Sequence, residues 1–163
     1  MDGIAWRFDP VHITWYKGVS LMHEDILARV DLFAGLEKKD LQLLAGACRE
    51  RKYSAGSKLI KQGDTGVGLY VITDGTVHIS KETNPDKAET DLGNVGPGNV
   101  LGEMSLLDDL PRSANVTAVS DVTALLLPVW EFRTTLRNHP DIALRLLSTL
   151  SRRLRKAESN SRD

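Results

Sequence analysis

The stretch from Arg49 to Val129 most constrains the fold, because it is a series of short apolar segments separated by turns rich in glycine. Within these segments apolar side chains recur at every second position, which is the period of a β-strand with one buried face. About eight such segments can be counted. Strands of this number and length are typical of a jelly-roll or barrel. We therefore predict a mainly β protein, an eight-stranded jelly-roll β-barrel with flanking helices.

The strongest turn signal in this stretch is Asp74-Gly75, which lies between the apolar segments 69–72 and 77–79. Asp-Gly tolerates the positive φ angles of a tight primed turn. The sequence therefore predicts a β-hairpin here with a well-specified register. Residues 83–91 are polar and are predicted to form a loop.

Helical periodicity flanks the predicted strands on both sides. Residues 24–48 show two apolar faces with a break near Gly35, and residues 130–138 form a short helix. A longer helix is predicted over about 140–157, where apolar residues alternate at spacings of four and three. This seam is Ala143, Leu147, Leu150, Leu154 and Ala157. Such a helix can pack on its own barrel, pair with a second copy, or do both.

The predicted domain occupies residues 25–157, between an N-terminal extension (1–24) and a polar tail (158–163). The extension holds four of the nine aromatic residues, and these can pack on the domain or dock on a partner. They are Trp6, Phe8, Trp15 and Tyr16. The basic side chains near the end of the long helix are predicted to form a solvated face. They are Arg152, Arg153, Arg155 and Lys156.

The composition argues against several functional classes. The formal net charge is −1, so no overall positive field attracts the chain to nucleic acid or to an anionic membrane. Cys48 is the only cysteine, which excludes an intrachain disulfide and a cysteine-only metal site. The four histidines are scattered singly, and no nucleophile motif is present. We predict a cytoplasmic protein with no metal, no cofactor and no catalytic residues.

Residues 102–114, reading GEMSLLDDLPRSA, combine the features of a small anion site. Gly102 lets the backbone approach a ligand, and the N–H groups of the following helical turn lack partners within it. Arg112, held after Pro111, can donate two charge-assisted hydrogen bonds to one phosphate. The Glu103 carboxylate would repel an anion unless it accepted a hydrogen bond from a neighbouring hydroxyl. This pattern favours a nucleotide with a single phosphate, although a structural Arg–Glu pair in a loop is an alternative that the residues leave open.

The order Gly-Glu-Met-Ser-Leu-Leu and then Pro-Arg-Ser-Ala closely resembles the phosphate-binding cassette of the cyclic nucleotide-binding domain family. This family includes the catabolite activator protein and the regulatory subunits of cyclic-AMP-dependent kinase. The resemblance extends over about residues 32–156. It implies that Glu103 binds the ribose 2′-hydroxyl and that Arg112 binds the cyclic phosphate. The ligand-binding residues expected from it are Val100, Leu101, Gly102, Glu103, Met104, Ser105, Arg112, Ser113 and Ala114.

The resemblance further implies a non-catalytic receptor whose long C-terminal helix closes over the base and reports occupancy. Ser113 does not separate cyclic AMP from cyclic GMP, but bacterial-looking members with Pro-Arg-Ser resemble cyclic AMP sensors. The candidates for capping the base are Ser148, Thr149, Ser151, Arg152 and Arg155.

Two alternatives remain open. In the first alternative to the receptor, the chain is the sensor half of a catabolite-activator-type transcription regulator, whose helix-turn-helix does not appear before Asp163. In the second, the chain is an interaction module that binds no nucleotide. The expected partners are a cyclic nucleotide, a second copy of the chain through the C-terminal helix and a downstream protein, without direct binding to DNA or a membrane.

Overall fold

Two four-stranded antiparallel sheets form the centre of the structure, and helices cover one of them. The computed structural model describes residues 19–162. The helical elements are α1 (Val19–Leu27), a first 3-10 turn (Asp31–Phe33), α2 (Lys38–Ala47), a second 3-10 turn (Glu103–Leu106), α3 (Val129–Asn138) and α4 (Pro140–Asn160). The strands are β1 (Arg49–Tyr53), β2 (Lys58–Ile60), β3 (Gly68–Asp74), β4 (Val77–Lys81), β5 (Thr90–Val95), β6 (Val100–Leu101), β7 (Asn115–Ala118) and β8 (Val122–Pro128).

The strands divide equally between the sheets. The first sheet has the order β1-β8-β3-β6, and the second has the order β2-β7-β4-β5. The prediction of a mainly β protein with flanking helices is confirmed, and the strands of both sheets are antiparallel. Among residues 19–162, no paired strands join one sheet to the other, so the pairing does not close a barrel.

The central strands β3 and β8 are buried on both faces, which makes the first sheet the middle layer. In β3, Leu69 and Val71 pack with the helices, whereas Tyr70 and Ile72 pack with residues of the second sheet. Strand β8 alternates in the same way. A strand covered on both sides needs apolar residues at successive positions, and this explains the near-continuous apolar runs in these two strands.

The chain changes sheet at Asp74-Gly75. Strand β3 pairs with β8 and β6, whereas β4 pairs with β7 and β5. The predicted hairpin is therefore wrong, although Gly75 does have the positive φ (85°) that the turn signal requires. A Cβ at Gly75 would lie 2.1 Å from the carbonyl oxygen of Asp121, so this corner packs against the β7–β8 connection. Packing between the sheets decides which strands pair on either side of this turn, and the turn residues themselves carry no information about that packing.

Three element boundaries also differ from the predictions. Strand β5 begins at Thr90, inside the predicted loop 83–91. Helix α4 continues to Asn160, because the polar residues after 157 include no glycine or proline that would end it. Helix α1 begins at Val19, before the predicted start of helical periodicity. The aromatic residues of the predicted extension lie outside the described residues.

Helix α4 packs on the rest of the chain along one face and is exposed along another. One face is buried against the rest of the chain and contains Ile142, Leu146 and Thr149. The predicted seam is divided, since Leu150 packs against the helical core whereas Leu147 and Leu154 are 61% and 62% exposed. From residue 19 to residue 162, no helix has the length and apolar character needed to cross a membrane.

Candidate functional site

The site is built where β6 leaves the first sheet and enters the second 3-10 turn. Gly102 joins these elements in the left-handed conformation, with φ 76° and ψ 24°. The N–H of Ser105 donates to the carbonyl oxygen of Gly102 at 3.1 Å, which closes the turn. The predicted helical turn after Gly102 is therefore present, and the Ser105 N–H is already used within it.

Arg112 enters the site from the other side and is held by its backbone. Its N–H donates to the carbonyl oxygen of Asp64 at 2.8 Å, and its own carbonyl oxygen accepts from the N–H of Gly63 at 2.8 Å. The side chain donates through Nη1 to Ser105 Oγ at 3.0 Å and through Nη2 to the Gly68 carbonyl oxygen at 2.5 Å. These contacts hold the guanidinium in one place.

Two glycines leave the space that this guanidinium fills. A Cβ at Gly102 would lie 1.8 Å from Arg112 Nη1, and a Cβ at Gly66 would lie 2.9 Å from Arg112 Nε. Real Cβ atoms do not approach other heavy atoms so closely. Gly102 is therefore required twice, for its positive φ and for its lack of a side chain. The sequence predicted the first requirement, and the structure adds the second.

Arg112 is a buried cation, since only 7% of the residue is exposed. Among residues 19–162 no carboxylate forms an ion pair with it. Burial lowers the pKa of Arg112 from its ordinary value, and Tyr70 opposes this effect. A buried charge without a counter-ion is costly unless a ligand or a dipole compensates it. The site thus favours an anion.

Glu103 has a partner that sequence reasoning missed. Its Oε1 accepts a hydrogen bond from Arg153 Nη1 of α4 at 2.6 Å, and the Glu103 side chain is 20% exposed. The predicted solvated face, which includes Arg153, is exposed, but the sequence analysis did not predict this contact with Glu103. The sequence contains an indication that Arg153 lies on the packed side of α4. Its position continues the four-three-four spacing of the buried residues Ile142, Leu146 and Thr149 on one helix face.

The nine predicted ligand-binding residues all line one cavity of about 420 Å³. Ser113 is exposed there, and Ala114 and the β6 residues are half-buried. The residues that sequence reasoning missed are Ile60, Ile79, Asp108, Leu110, Pro111 and Val116. Three of these, Ile60, Ile79 and Val116, form an apolar wall contributed by the second sheet. No local motif marks them, because each is one apolar residue in an ordinary strand.

Other expected features fall outside this cavity. None of the five α4 residues considered as base caps lines it. Cys48 is buried, and this burial raises the pKa of its thiol to about 12, as fits a core residue. Within the described part of the chain, His, Cys, Asp and Glu side chains form no group of three or more suited to a metal ion.

Comparison with known proteins decides the family. The model of the Cyclic nucleotide-binding domain matches residues 50–139, more than half of the chain. The chain belongs to this family. The matched residues include seven of the eight strands in full, most of β1 and the whole of the cavity lining, so the family assignment covers the site as well as the sheets.

Two similar bacterial proteins have names that refer to cyclic AMP. The chain is 31% identical over 140 residues to a CRP-like cAMP-activated global transcriptional regulator of Mycobacterium tuberculosis, covering 86% of this chain and 62% of that protein. It is 37% identical over 127 residues to the Cyclic AMP receptor protein of Thermus thermophilus, covering 78% and 58%. The chain thus spans about three-fifths of the length of these relatives.

A solved structure supports the same assignment. The N-terminal domain of a transcriptional regulator from Streptomyces coelicolor A3(2) superposes with a TM-score of 0.74 at 38% identity. The superposition covers 83% of this chain and 96% of that domain. The two chains therefore share this architecture over nearly the full length of the Streptomyces domain.

Proposed function

We propose that this chain is a non-catalytic receptor for a cyclic nucleotide, with cyclic AMP preferred over cyclic GMP, and that it reports occupancy through α4. The observation that carries the proposal is Arg112, a buried guanidinium with no carboxylate partner in residues 19–162. A cyclic phosphate is a compact monoanion that can accept two hydrogen bonds from one guanidinium. Its binding would compensate the buried charge.

The other walls of the cavity suit the remaining parts of such a ligand. Glu103 offers a carboxylate that can accept a hydrogen bond from a ribose hydroxyl. The apolar side chains of Ile60, Ile79 and Val116 suit the face of a purine base. The volume lies within the range of roughly 300–1,000 Å³ typical of small-molecule sites. These features support a nucleoside with one phosphate more than an inorganic anion.

The preference for cyclic AMP rests on similarity. Both curated bacterial relatives described above are named for cyclic AMP, and Ser113 is compatible with either base. The same two relatives are named as a transcriptional regulator and as a receptor protein, which supports the non-catalytic role that we propose for this chain in the cytoplasm.

Output through α4 is supported by the position of this helix. It contacts the site through Arg153 and presents the exposed Leu147 and Leu154 on another face. We propose that a second copy of the chain or a downstream protein binds this face, because exposed apolar side chains in a seam favour helix pairing.

The test is a calorimetric titration with cyclic AMP and cyclic GMP. The wild-type chain is expected to bind cyclic AMP at micromolar or lower concentration. Arg112→Ala should weaken binding by about 2–5 kcal/mol, or at least about 30-fold, because it removes the charged partner of a partly buried phosphate. The matched control is Arg133→Ala, since Arg133 already pairs with Asp109 at 2.8 Å beside the same loop.

Equal affinity in wild type and Arg112→Ala would refute the assignment of the phosphate to Arg112. If the folded wild-type chain bound neither nucleotide, the interaction module would become the better hypothesis. Tighter binding of cyclic GMP than of cyclic AMP would reverse the proposed base preference.

A second candidate is the sensor part of a transcription regulator, which the two bacterial relatives favour. In that case the binding chemistry is unchanged, and only the output differs. We expect this chain alone to leave the electrophoretic mobility of duplex DNA unchanged, with or without cyclic AMP. Retardation that required cyclic AMP would assign DNA binding to these residues and contradict that expectation.

A further inference from the structure

A second cavity, of about 660 Å³, lies between the first 3-10 turn and the last turns of α4. One wall is formed by Asp31 of that turn and by Ala34 and Gly35, which follow it. In the described part of the chain, no residue lines both this cavity and the cavity at the cassette. The other wall is one side of α4, namely Thr149, Arg152, Arg153, Lys156, Ala157 and Asn160.

Thr149 is a buried polar residue in this wall. The residue is only 7% exposed, and its hydroxyl forms no hydrogen bond with another group in residues 19–162. Threonines of α3 behave differently, since Thr134 and Thr135 each donate to the carbonyl oxygen four residues earlier. A buried hydroxyl without a partner costs free energy unless a group in the cavity binds it. Thr149 therefore points to a ligand with a hydrogen-bonding group.

Gly35 allows this hydroxyl and a guanidinium to face the same place. A Cβ at Gly35 would lie 2.8 Å from Thr149 Oγ1 and 3.8 Å from Arg152 Nη2. Arg152 Nη2 donates one long hydrogen bond, of 3.4 Å, to Ser148 Oγ on its own helix. Such a weak local contact leaves the guanidinium able to donate to a ligand beside the Thr149 hydroxyl.

Two cations of the cavity have no counter-ion. Among residues 19–162, no carboxylate forms an ion pair with Arg152 or Lys156, whereas Arg153 pairs with Glu103. Arg152 and Lys156 are four residues apart on one helix face, where like charges repel each other. Of the described residues in the wall only Asp31 is acidic, and no ion pair joins it to either cation. The wall therefore favours a dianion over a monoanion.

We propose that this cavity binds the phosphate group of a small phosphate monoester. Such a group carries a charge of about −1.5 to −2 near pH 7 and has three acceptor oxygens. These oxygens match three donors, the Arg152 guanidinium, the Lys156 ammonium and the Thr149 hydroxyl. A cyclic phosphate diester has only one negative charge, so the two cavities select different phosphates.

The rest of the wall indicates what carries the phosphate. The Asp31 carboxylate would repel the phosphate itself, but it can accept a hydrogen bond from a hydroxyl elsewhere in the ligand. Within the described residues, Ala34 and Ala157 supply the only apolar side chains of this wall, so no broad surface is available for a purine base. A phosphorylated polyol fits these features better than a nucleotide does.

The experiment is an NMR titration of the isotope-labelled chain, without nucleotide, using glycerol 3-phosphate and inorganic phosphate as probes. Glycerol 3-phosphate should bind saturably and should shift the amide signals of Gly35 and Thr149 most strongly. Inorganic phosphate should bind about two- to tenfold more weakly, because it lacks the hydroxyl groups that Asp31 would accept.

Variants identify the donors. Arg152→Gln should weaken the binding of glycerol 3-phosphate about tenfold or more, since it removes a charge-assisted hydrogen bond. Thr149→Val keeps the shape of the side chain and should weaken binding about two- to tenfold through loss of the hydroxyl. The matched control is Arg155→Gln, which removes the same charge from an exposed residue of α4 that lines neither cavity, and it should bind like wild type.

Four outcomes would overturn the proposal. They are the absence of saturable shifts up to about 10 mM of either probe, largest shifts within residues 102–114, equal weakening by Arg152→Gln and Arg155→Gln, and unchanged binding in Thr149→Val. Equal affinity for the two probes would overturn the choice of a polyol, because Asp31 would then contribute nothing. These measurements involve no cyclic nucleotide, so they stand or fall separately from the proposed function.

Discussion

Gly102→Ala tests whether the guanidinium of Arg112 and the backbone of the cassette depend on each other. The substitution adds one methyl group at a residue with φ 76°. The added Cβ would lie 1.8 Å from Arg112 Nη1 and 2.7 Å from Arg112 Cζ. The guanidinium must therefore move, even though it is the end of a flexible side chain, because no adjustment of a few tenths of an ångström relieves such a contact.

The expected cost has two parts. Placing alanine in the left-handed region costs about 1–2 kcal/mol. Moving Nη1 breaks its hydrogen bond to Ser105 Oγ, and a hydrogen bond to a charged group contributes about 1.5–3 kcal/mol. We expect Gly102→Ala to lower the free energy of unfolding by about 2.5–5 kcal/mol in total. The chain should still fold, because domains of this size are stable by about 5–15 kcal/mol.

Gly98→Ala is the matched control. Gly98 also has a positive φ, 89°, but a Cβ there would meet no atom within 4 Å. Urea unfolding should show a loss of about 1–2 kcal/mol for Gly98→Ala, the backbone part alone. The difference between the variants then measures the contact with Arg112. Calorimetry should show cyclic AMP binding reduced roughly ten- to a hundredfold in Gly102→Ala and unchanged in Gly98→Ala.

Equal destabilisation by the two substitutions would refute this reasoning, because it would mean that Arg112 moves away at no cost. Reduced stability with unchanged affinity for cyclic AMP would show that the guanidinium position seen here is not the one that binds phosphate.

Three further predictions concern the scaffold. Gly68→Ala should prevent folding or lower the thermal midpoint by more than about 10 °C, since its Cβ would lie 2.2 Å from a carbonyl oxygen of the adjacent strand. The control is Gly46→Ala on α2, where the added Cβ would meet no atom within 4 Å. This variant should raise the free energy of unfolding by about 0.5–1 kcal/mol. Arg145→Met should destabilise by about 1–3 kcal/mol in urea, because it leaves the buried Asp40 carboxylate with only a backbone donor. The Cys48 thiol should resist alkylation until the chain unfolds. Its folded pKa of about 12 exceeds the ordinary 9.0, so the unfolded state loses the proton first and unfolding free energy should fall as pH rises above 9.0.

Much of the site could be predicted because its residues are close in the chain. The nine predicted residues all lie between Val100 and Ala114, so one strand, one turn and one loop bring them together. Glycine at 102 and arginine at 112 have chemical properties that few other residues share. The family resemblance then indicated a role for each. Predictions of this kind depend on the order of neighbouring residues, so an error in the predicted strand pairing does not affect them.

The sheet pairing could not be predicted in the same way. Asp74-Gly75 carries the chemistry of a hairpin turn, and it does form a turn, but the strands on either side belong to different sheets. Local propensity specifies the conformation of a few residues. Which strands pair depends on the area that each arrangement buries, and that area involves β6, β7 and β8, which come later in the chain.

The sequence by itself determined the mainly β class, the anion-binding chemistry of the cassette and the apolar seam of α4, because each is a property of neighbouring residues. Tertiary structure alone decided the apolar wall of the cavity and the burial of Arg112. It also paired Glu103 with Arg153, which are 50 residues apart. A charged residue on an amphipathic helix has the same sequence signature whether it faces solvent or a carboxylate. Only the packing of α4 against the rest of the chain distinguishes the two, because packing fixes which side of the helix turns inward.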